Sequence, residues 1–163
     1  MEKRFKKQVL SKSQVLFAEP APGLIDQCQK EMNEILSNSF LPSKFENRIH
    51  ERDGFVRIEN IDFRQAIELC YRASTCRDIW LILSDSHVGS YGELMKAFAK
   101  VHWEFYLSQK SLPQIEVQSF NSKLYHEGKT KELFAQYLKD LGYQRQRDDL
   151  KIRLIQNKNS WCS

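Results

Sequence analysis

Lys123, Lys129, Lys131, Arg145, Arg147, Lys151, Arg153 and Lys158 crowd the last part of the chain, interleaved with Tyr125, Tyr143 and Trp161. Lysine and arginine neutralise phosphates, and an exposed aromatic ring stacks on an unpaired base, so this mixture suits contact with RNA. It equally describes a solvated polar face over a core that holds the aromatics, and composition alone does not separate the two. The overall balance is mild: 25 Lys and Arg against 21 Asp and Glu give a formal charge of +4 over 163 residues. That excess permits attraction to a polyanion but is weaker than a typical basic footprint.

Catalytic chemistry is harder to find. His50, His87, His102 and His126 are scattered, and no spacing ties them to a nucleophile or a carboxylate pair. Asp85 and Glu104 have no recognisable partner. Cys28, Cys70, Cys76 and Cys162 include no C-x-x-C pair, so reduced thiols rather than a zinc site are expected. Cys28 and Cys70 fall on helix faces expected to be apolar, where packing explains them. The six glycines form no phosphate-cradling turn, and G-x-x-x-x-G-K-S/T, G-x-S-x-G, H-E-x-x-H and Asn/Asp-Pro-Pro-aromatic runs are all missing. No catalytic centre, cofactor site or metal site is expected within these residues. The basic start, Met1 to Lys7, leads into no apolar signal segment, and no run approaches the roughly 20 apolar residues of a membrane span, so a cytoplasmic chain is expected.

The elements that must position these residues follow from periodicity. Val15-Leu16-Phe17-Ala18 is a strand closed by Pro20-Ala21-Pro22-Gly23. Leu24, Ile25, Cys28, Met32, Ile35 and Leu36 form the apolar stripe of a helix. Strands over 45–51 and 55–59 flank Arg52-Asp53-Gly54, a hairpin signal. Asp62 with Gln65 predicts a capped helix whose apolar face is Phe63, Ala66, Ile67, Cys70 and Tyr71. Ile79-Trp80-Leu81-Ile82-Leu83 then reads as a strand buried on both faces. This β-α-β-β-α-β order, over about 14–84, is the split arrangement of a ferredoxin-like fold.

From Ser86 the pattern restarts. Ser90 and Glu93 cap a helix carrying Leu94, Phe98 and Val101, and His102-Trp103 ends it. Ile115 to Ser119 alternates as a strand, Thr130 to Leu141 forms a helix stopped by Gly142, and Leu150 to Leu154 alternates again. The second half therefore reads α-β-α-β, with no low-complexity linker before it.

Several strings resemble a known family. Leu16-Phe17-Ala18-Glu19-Pro20-Ala21-Pro22-Gly23-Leu24 looks like the F-A-x-x-x-x-G-L opening of bacterial THUMP-containing 23S rRNA guanine-N2 methyltransferases and their relatives described as N6-adenine-specific methylases. Phe55-Val56 and Asp62 to Arg72 resemble the family's next strand and helix, and Gln118-Ser119-Phe120-Asn121-Ser122-Lys123-Leu124-Tyr125-His126 resembles its S-K-L segment. The resemblance, over about 14–158, implies an α+β chain. A basic tail (1–12) precedes a ferredoxin-like βαββαβ domain (13–85), which is followed by an α/β THUMP domain (86–163) whose signature begins as early as about residue 50. It implies capture of structured RNA, rRNA or tRNA, for a methyltransferase domain in cis or in trans that uses S-adenosylmethionine. No membrane or DNA partner is implied, and S-adenosylmethionine belongs to the catalytic domain rather than to these residues. Lys123, Tyr125, Lys129, Arg145, Arg147, Lys151 and Arg153 are the expected RNA contacts, with Tyr125 or Tyr143 stacking. The S-L-D-x-S-G and R-R-G-Y-R segments of relatives are missing, so the chain is expected to be either a fragment or a stand-alone module. A protein-interaction adaptor built on the ferredoxin-like domain is the alternative function.

Overall fold

Two prolines and a glycine forbid extension of the first apolar run, and the backbone turns there as they require. In the computed structural model, which describes residues 9–10, 12–40, 45–86, 88–107, 111–120, 126–157 and 160–162, with the side chains of 120, 146–149, 156–157 and 160–162 excepted, strand β1 spans Gln14–Pro20. Helix α1, Ile25–Ser37, follows and buries Cys28, Met32 and Ile35. Strands β2 (Arg48–Arg52) and β3 (Phe55–Ile61) close as a hairpin on the Arg52–Phe55 pair. Asp53 and Gly54 both take positive φ, 55° and 82°, as a two-residue type I′ turn demands. Helix α2, Phe63–Arg72, carries the expected capping box: Asp62 Oδ1 accepts from the Arg64 and Gln65 backbone N–H groups at 2.8 and 2.9 Å, and Gln65 Oε1 accepts from Asp62 N at 3.4 Å. Strand β4 is Cys76–Leu81.

The chain divides into two units, Met1–Ile82 and Leu83–Ser163. In the first, the strand order is β2-β3-β1-β4 and every neighbouring pair is antiparallel. Leu16, Ala18, Val56 and Ile58 meet Cys28, Met32, Ile35, Ala66 and Leu69 in one core, so both helices cover the same sheet face. On the other face Arg57, only 8% exposed, lies 5.3 Å from the Phe17 ring and donates from Nε to Glu59 Oε1 at 2.6 Å. Phe17 in turn stacks on Phe55 at 5.5 Å. A cation this buried is tolerated because it is paired and lies over a ring.

Two expectations fail in this unit. Strand β4 begins at Cys76, is an edge strand and leaves Arg77 and Asp78 exposed, so it is not buried on both faces. Helix α2 turns Gln65, Ala66 and Leu69 inward, while Ile67, Cys70 and Tyr71 face out. Two stripes of helical spacing compete there, and the capping bond decides between them. Gln65 is committed to the Asp62 N–H, so burying its amide leaves no polar group unpaired.

The second unit opens with β5, Asp85–Ser86. Helix α3, Tyr91–Lys100, is capped by Ser90, whose Oγ accepts from Glu93 N at 3.3 Å. A single 3-10 turn, Trp103–Phe105, leads toward β6 (Ser111–Phe120), α4 (Glu127–Asp140), β7 (Arg145–Asn157) and β8 (Ser160–Cys162). The sheet order is β5-β8-β7-β6, with β6 and β7 parallel and the other pairs antiparallel. Phe98, Phe134 and Trp103 centre the core, with Phe134 4.5 Å from Phe98 and 5.2 Å from Trp103. Trp103 Nε1 donates to the Phe98 carbonyl at 2.9 Å, which is how a fully buried indole keeps its N–H satisfied.

Helix α4 ends in a Schellman motif. Gly142 adopts φ 93°, its N–H reaches the Lys139 carbonyl at 2.9 Å, and Tyr143 N reaches Leu138 O at 3.0 Å. Strand β6 starts two residues before Pro113 rather than after it. The ladder breaks there: Leu112 pairs with Gln146 but Gln114 with Lys151, because proline has no N–H to give to the sheet. The short strands β5 and β8 were not foreseen, since neither carries an apolar alternation.

Candidate nucleic-acid interface

Parallel strands leave their ligand-binding crevice at their carboxyl ends, where the following helix begins. In the second unit that end is formed by Ser119 on β6 and by the first turn of α4. Ser119 N donates to Glu127 Oε1 at 2.8 Å, which ties the end of β6 to the first turn of α4. His126 occupies the N-cap position without a side-chain capping bond. An open depression of about 570 Å³ is lined by His126, Glu127, Gly128 and Lys129. Lys129 Nζ stands 4.6 Å from the centre of the Tyr91 ring, the first residue of α3, so the amino-terminal turns of two helices meet here.

The electrostatics follow from those ends. Each helix N-terminus carries about half a positive charge, and Lys129 adds a full one. Glu127 and Glu93 keep their negative charge while accepting from backbone, Glu127 from Ser119 N and Glu93 Oε2 from Gly89 N at 2.7 Å, and they offset much of that positive potential. The Tyr91 hydroxyl and the Ser119 hydroxyl are buried without a hydrogen-bond partner among the described residues. A phosphate at this end would meet amide N–H groups, an ammonium and an imidazole.

The remaining basic residues sit elsewhere. Ile152 and Leu154 enter the core, so Lys151 and Arg153 emerge on the helix-free face of the sheet. Arg153 pairs across the ladder with Glu116, and its Nε and Nη2 both donate to Glu116 Oε2 at 3.3 Å. Lys151 Nζ lies 3.7 Å from Glu116 Oε1. One carboxylate thus serves two cations. Arg145 is exposed opposite Ser111, at the amino end of the parallel pair. Ser111 and Ser119 are separated by roughly 25 Å at the usual rise per residue of a strand, so Arg145 and Lys129 lie at opposite ends. Arg147 belongs to β7, but its side chain, like all of Lys123 and Tyr125, lies outside the described residues.

Tyr143 does not present a free ring. It packs against the core after the α4 cap, and burial, with Glu104 and Tyr137 nearby, pushes its hydroxyl above the ordinary range. Tyr91 and His126, which spacing did not single out, sit beside Lys129. The Ser90 capping signal placed Tyr91 in a first turn but could not say which other helix would reach it.

Nucleophilic chemistry has little support in the described residues. Burial raises the Cys28 thiol and raises Cys76 to about 11, and partial desolvation of the sulfur raises Cys70 although the residue as a whole is exposed. Cys70, expected inside, is exposed on α2. His102 Nδ1 lies 3.3 Å from Glu104 Oε1 on the surface, with both side chains about half exposed. Among the described residues no three His, Cys, Asp or Glu side chains gather as a metal site, and no helix is long and apolar enough to cross a membrane.

Solved structures share this architecture. A predicted N6-adenine-specific DNA methylase from Listeria monocytogenes str. 4b F2365 matches with TM-score 0.74 at 16% identity, over 98% of this chain and 40% of that one. The chain has the fold of part of that protein. TrmN from Thermus thermophilus matches with TM-score 0.67 at 16% identity, over 91% of this chain and 44% of its own. SMU.472, provisionally a methyltransferase and complexed with SAH, matches with TM-score 0.64 at 18% identity, over 93% and 41%. The chain therefore spans about two fifths of each of these proteins. No protein-family model matches it, and no curated protein matches its sequence.

Proposed function

We propose that this chain is an RNA-capturing module that serves a methyltransferase, with a ferredoxin-like first unit and a THUMP second unit. The observation that carries the reading is the fold match along 98% of the chain to two fifths of a methylase, a part-length correspondence expected of an accessory region. The βαββαβ order with strands β2-β3-β1-β4 supports the ferredoxin-like assignment of the first unit. The sequence resemblance to rRNA guanine-N2 methyltransferases supports RNA as the polymer and S-adenosylmethionine as the cofactor of the accompanying catalytic domain.

On this reading Lys129 and His126, at the amino end of α4, hold phosphates. Lys151 and Arg145 add weaker electrostatic attraction from other positions, and Arg153 mainly positions Glu116. Such contacts fix the orientation of the RNA and leave the choice of base to the catalytic domain.

Filter binding of rRNA and tRNA fragments tests this. Affinity is expected to fall with salt, and Lys129→Ala to reduce the slope of log K against log salt by about 0.7 to 0.9. Duplex DNA of equal length is expected to compete poorly. Salt-independent binding, or no binding, would overturn the reading.

A further inference from the structure

Helix α2 carries apolar side chains on the side that has no core to face. Ile67 is 45% exposed and Tyr71, one turn later, 86%, while Phe40, just past the end of α1, is 89% exposed. These rings are not loose ornaments. The Arg72 guanidinium lies 5.9 Å from the Phe40 ring centre, and Arg72 Nη1 donates to Glu68 Oε1 at 2.6 Å. The second oxygen of Glu68 accepts from Ser39 Oγ at 2.5 Å, so the residue preceding Phe40 is fastened to α2 by the same carboxylate. Those two hydrogen bonds, the Ser39 hydroxyl first, hold Glu68 below the ordinary carboxylate range and keep it charged. Exposed Arg64 stands one turn before Glu68 and Arg72 one turn after, so an Arg64, Glu68, Arg72 row runs beside the Ile67, Tyr71 row.

We infer that this face binds an unpaired segment of RNA, with Tyr71 and Phe40 offering ring faces to bases and Arg64 and Arg72 drawing in the flanking phosphates. The surplus charge of the basic row is positive, matching a polyanion, and a guanidinium held against an aromatic ring is a planar surface on which a base stacks. The inference rests on the RNA reading for the polymer, but it uses none of the residues assigned there.

The test uses the full chain and a single-stranded oligoribonucleotide carrying 2-aminopurine, whose fluorescence responds to stacking. Tyr71→Ala and Phe40→Ala are each expected to weaken binding on the order of tenfold and to abolish the stacking signal. Tyr71→Phe, which keeps the ring, is expected to bind as the parent does. Both positions are solvent-facing, and unchanged circular dichroism checks that the three variants are folded. If the parent binds RNA and loses affinity in Lys129→Ala but not in the two alanine variants, this inference fails and the RNA reading stands. If the parent binds no RNA, both fail. Sedimentation showing self-association that Tyr71→Ala abolishes would make the face a contact between copies and overturn the inference.

Discussion

The two units treat their polar groups differently. In the first, charges are engaged internally: Glu31 with Ser74 and Thr75, Arg57 with Glu59 and Phe17, Arg77 with Glu19, and Glu68 with Ser39 and Arg72. In the second, the end where α3 and α4 begin leaves the Tyr91 and Ser119 hydroxyls without a hydrogen-bond partner among the described residues and places a lysine over a ring. Satisfied networks rigidify a scaffold, whereas unsatisfied polar groups at helix ends are what a ligand completes. On the proposed RNA reading, the contrast would place phosphate contacts at the carboxyl end of the second unit's parallel strands and leave the first unit's contribution to the outer face of α2.

The strongest way to break the contrast is through the second core. Phe134→Ala removes a fully buried ring that touches Phe98 and Trp103. It is expected to cost about 3–5 kcal/mol in denaturant unfolding and to remove RNA binding with the fold. RNA binding retained after the second unit has lost its near-ultraviolet circular dichroism would place recognition outside that unit, on the outer face of α2.

Next comes the Glu31 clamp. Its carboxylate accepts from the Ser74 and Thr75 backbone N–H groups at 3.0 Å and from their hydroxyls at 2.6 and 2.5 Å, joining α1 to the turn before β4. Burial pushes this carboxyl up, but the hydrogen bonds from Ser74 and Thr75 outweigh it and hold it below its ordinary value. A group whose folded pKa is depressed stabilises above its unfolded pKa and loses that stability as pH falls through the folded value. Glu31→Gln is therefore expected to cost about 1–3 kcal/mol at neutral pH, and the gap to the parent to close in acid, below about pH 4. A gap that persists in acid would show that geometry rather than charge makes the clamp.

The smallest effect sharpens the comparison within the second unit. Arg153→Ala removes a partner already spent on Glu116 and frees that carboxylate for Lys151. Stability is expected to change by about 1 kcal/mol or less and RNA affinity by less than in Lys129→Ala. Equal losses from the two variants would mean that the sheet face and the helix end form one phosphate track.

What was legible in the sequence was local. Asp53-Gly54, the Asp62 and Gln65 pair, Ser90 and Gly142 each state a backbone conformation within a few residues, and each appears where it was read. What was not legible depends on partners far along the chain. The edge position of β4, the existence of β5 and β8, and the choice between two stripes on α2 are settled by pairing and packing. The basic residues looked like one cluster because they are close in sequence. The parallel register sends Arg145 to one end of the sheet and α4 carries Lys129 to the other.

The break at Pro113 has a mechanical meaning. It divides the β6–β7 ladder into a block of two pairs, Ser111 to Leu112, and a block of seven, Gln114 to Phe120. Local opening tends to stop at such interruptions, so the short block is expected to exchange its amide hydrogens by fraying and the long one only on wider unfolding. Fraying at the strand end that carries Arg145 is thereby expected to stop short of the end that holds Ser119.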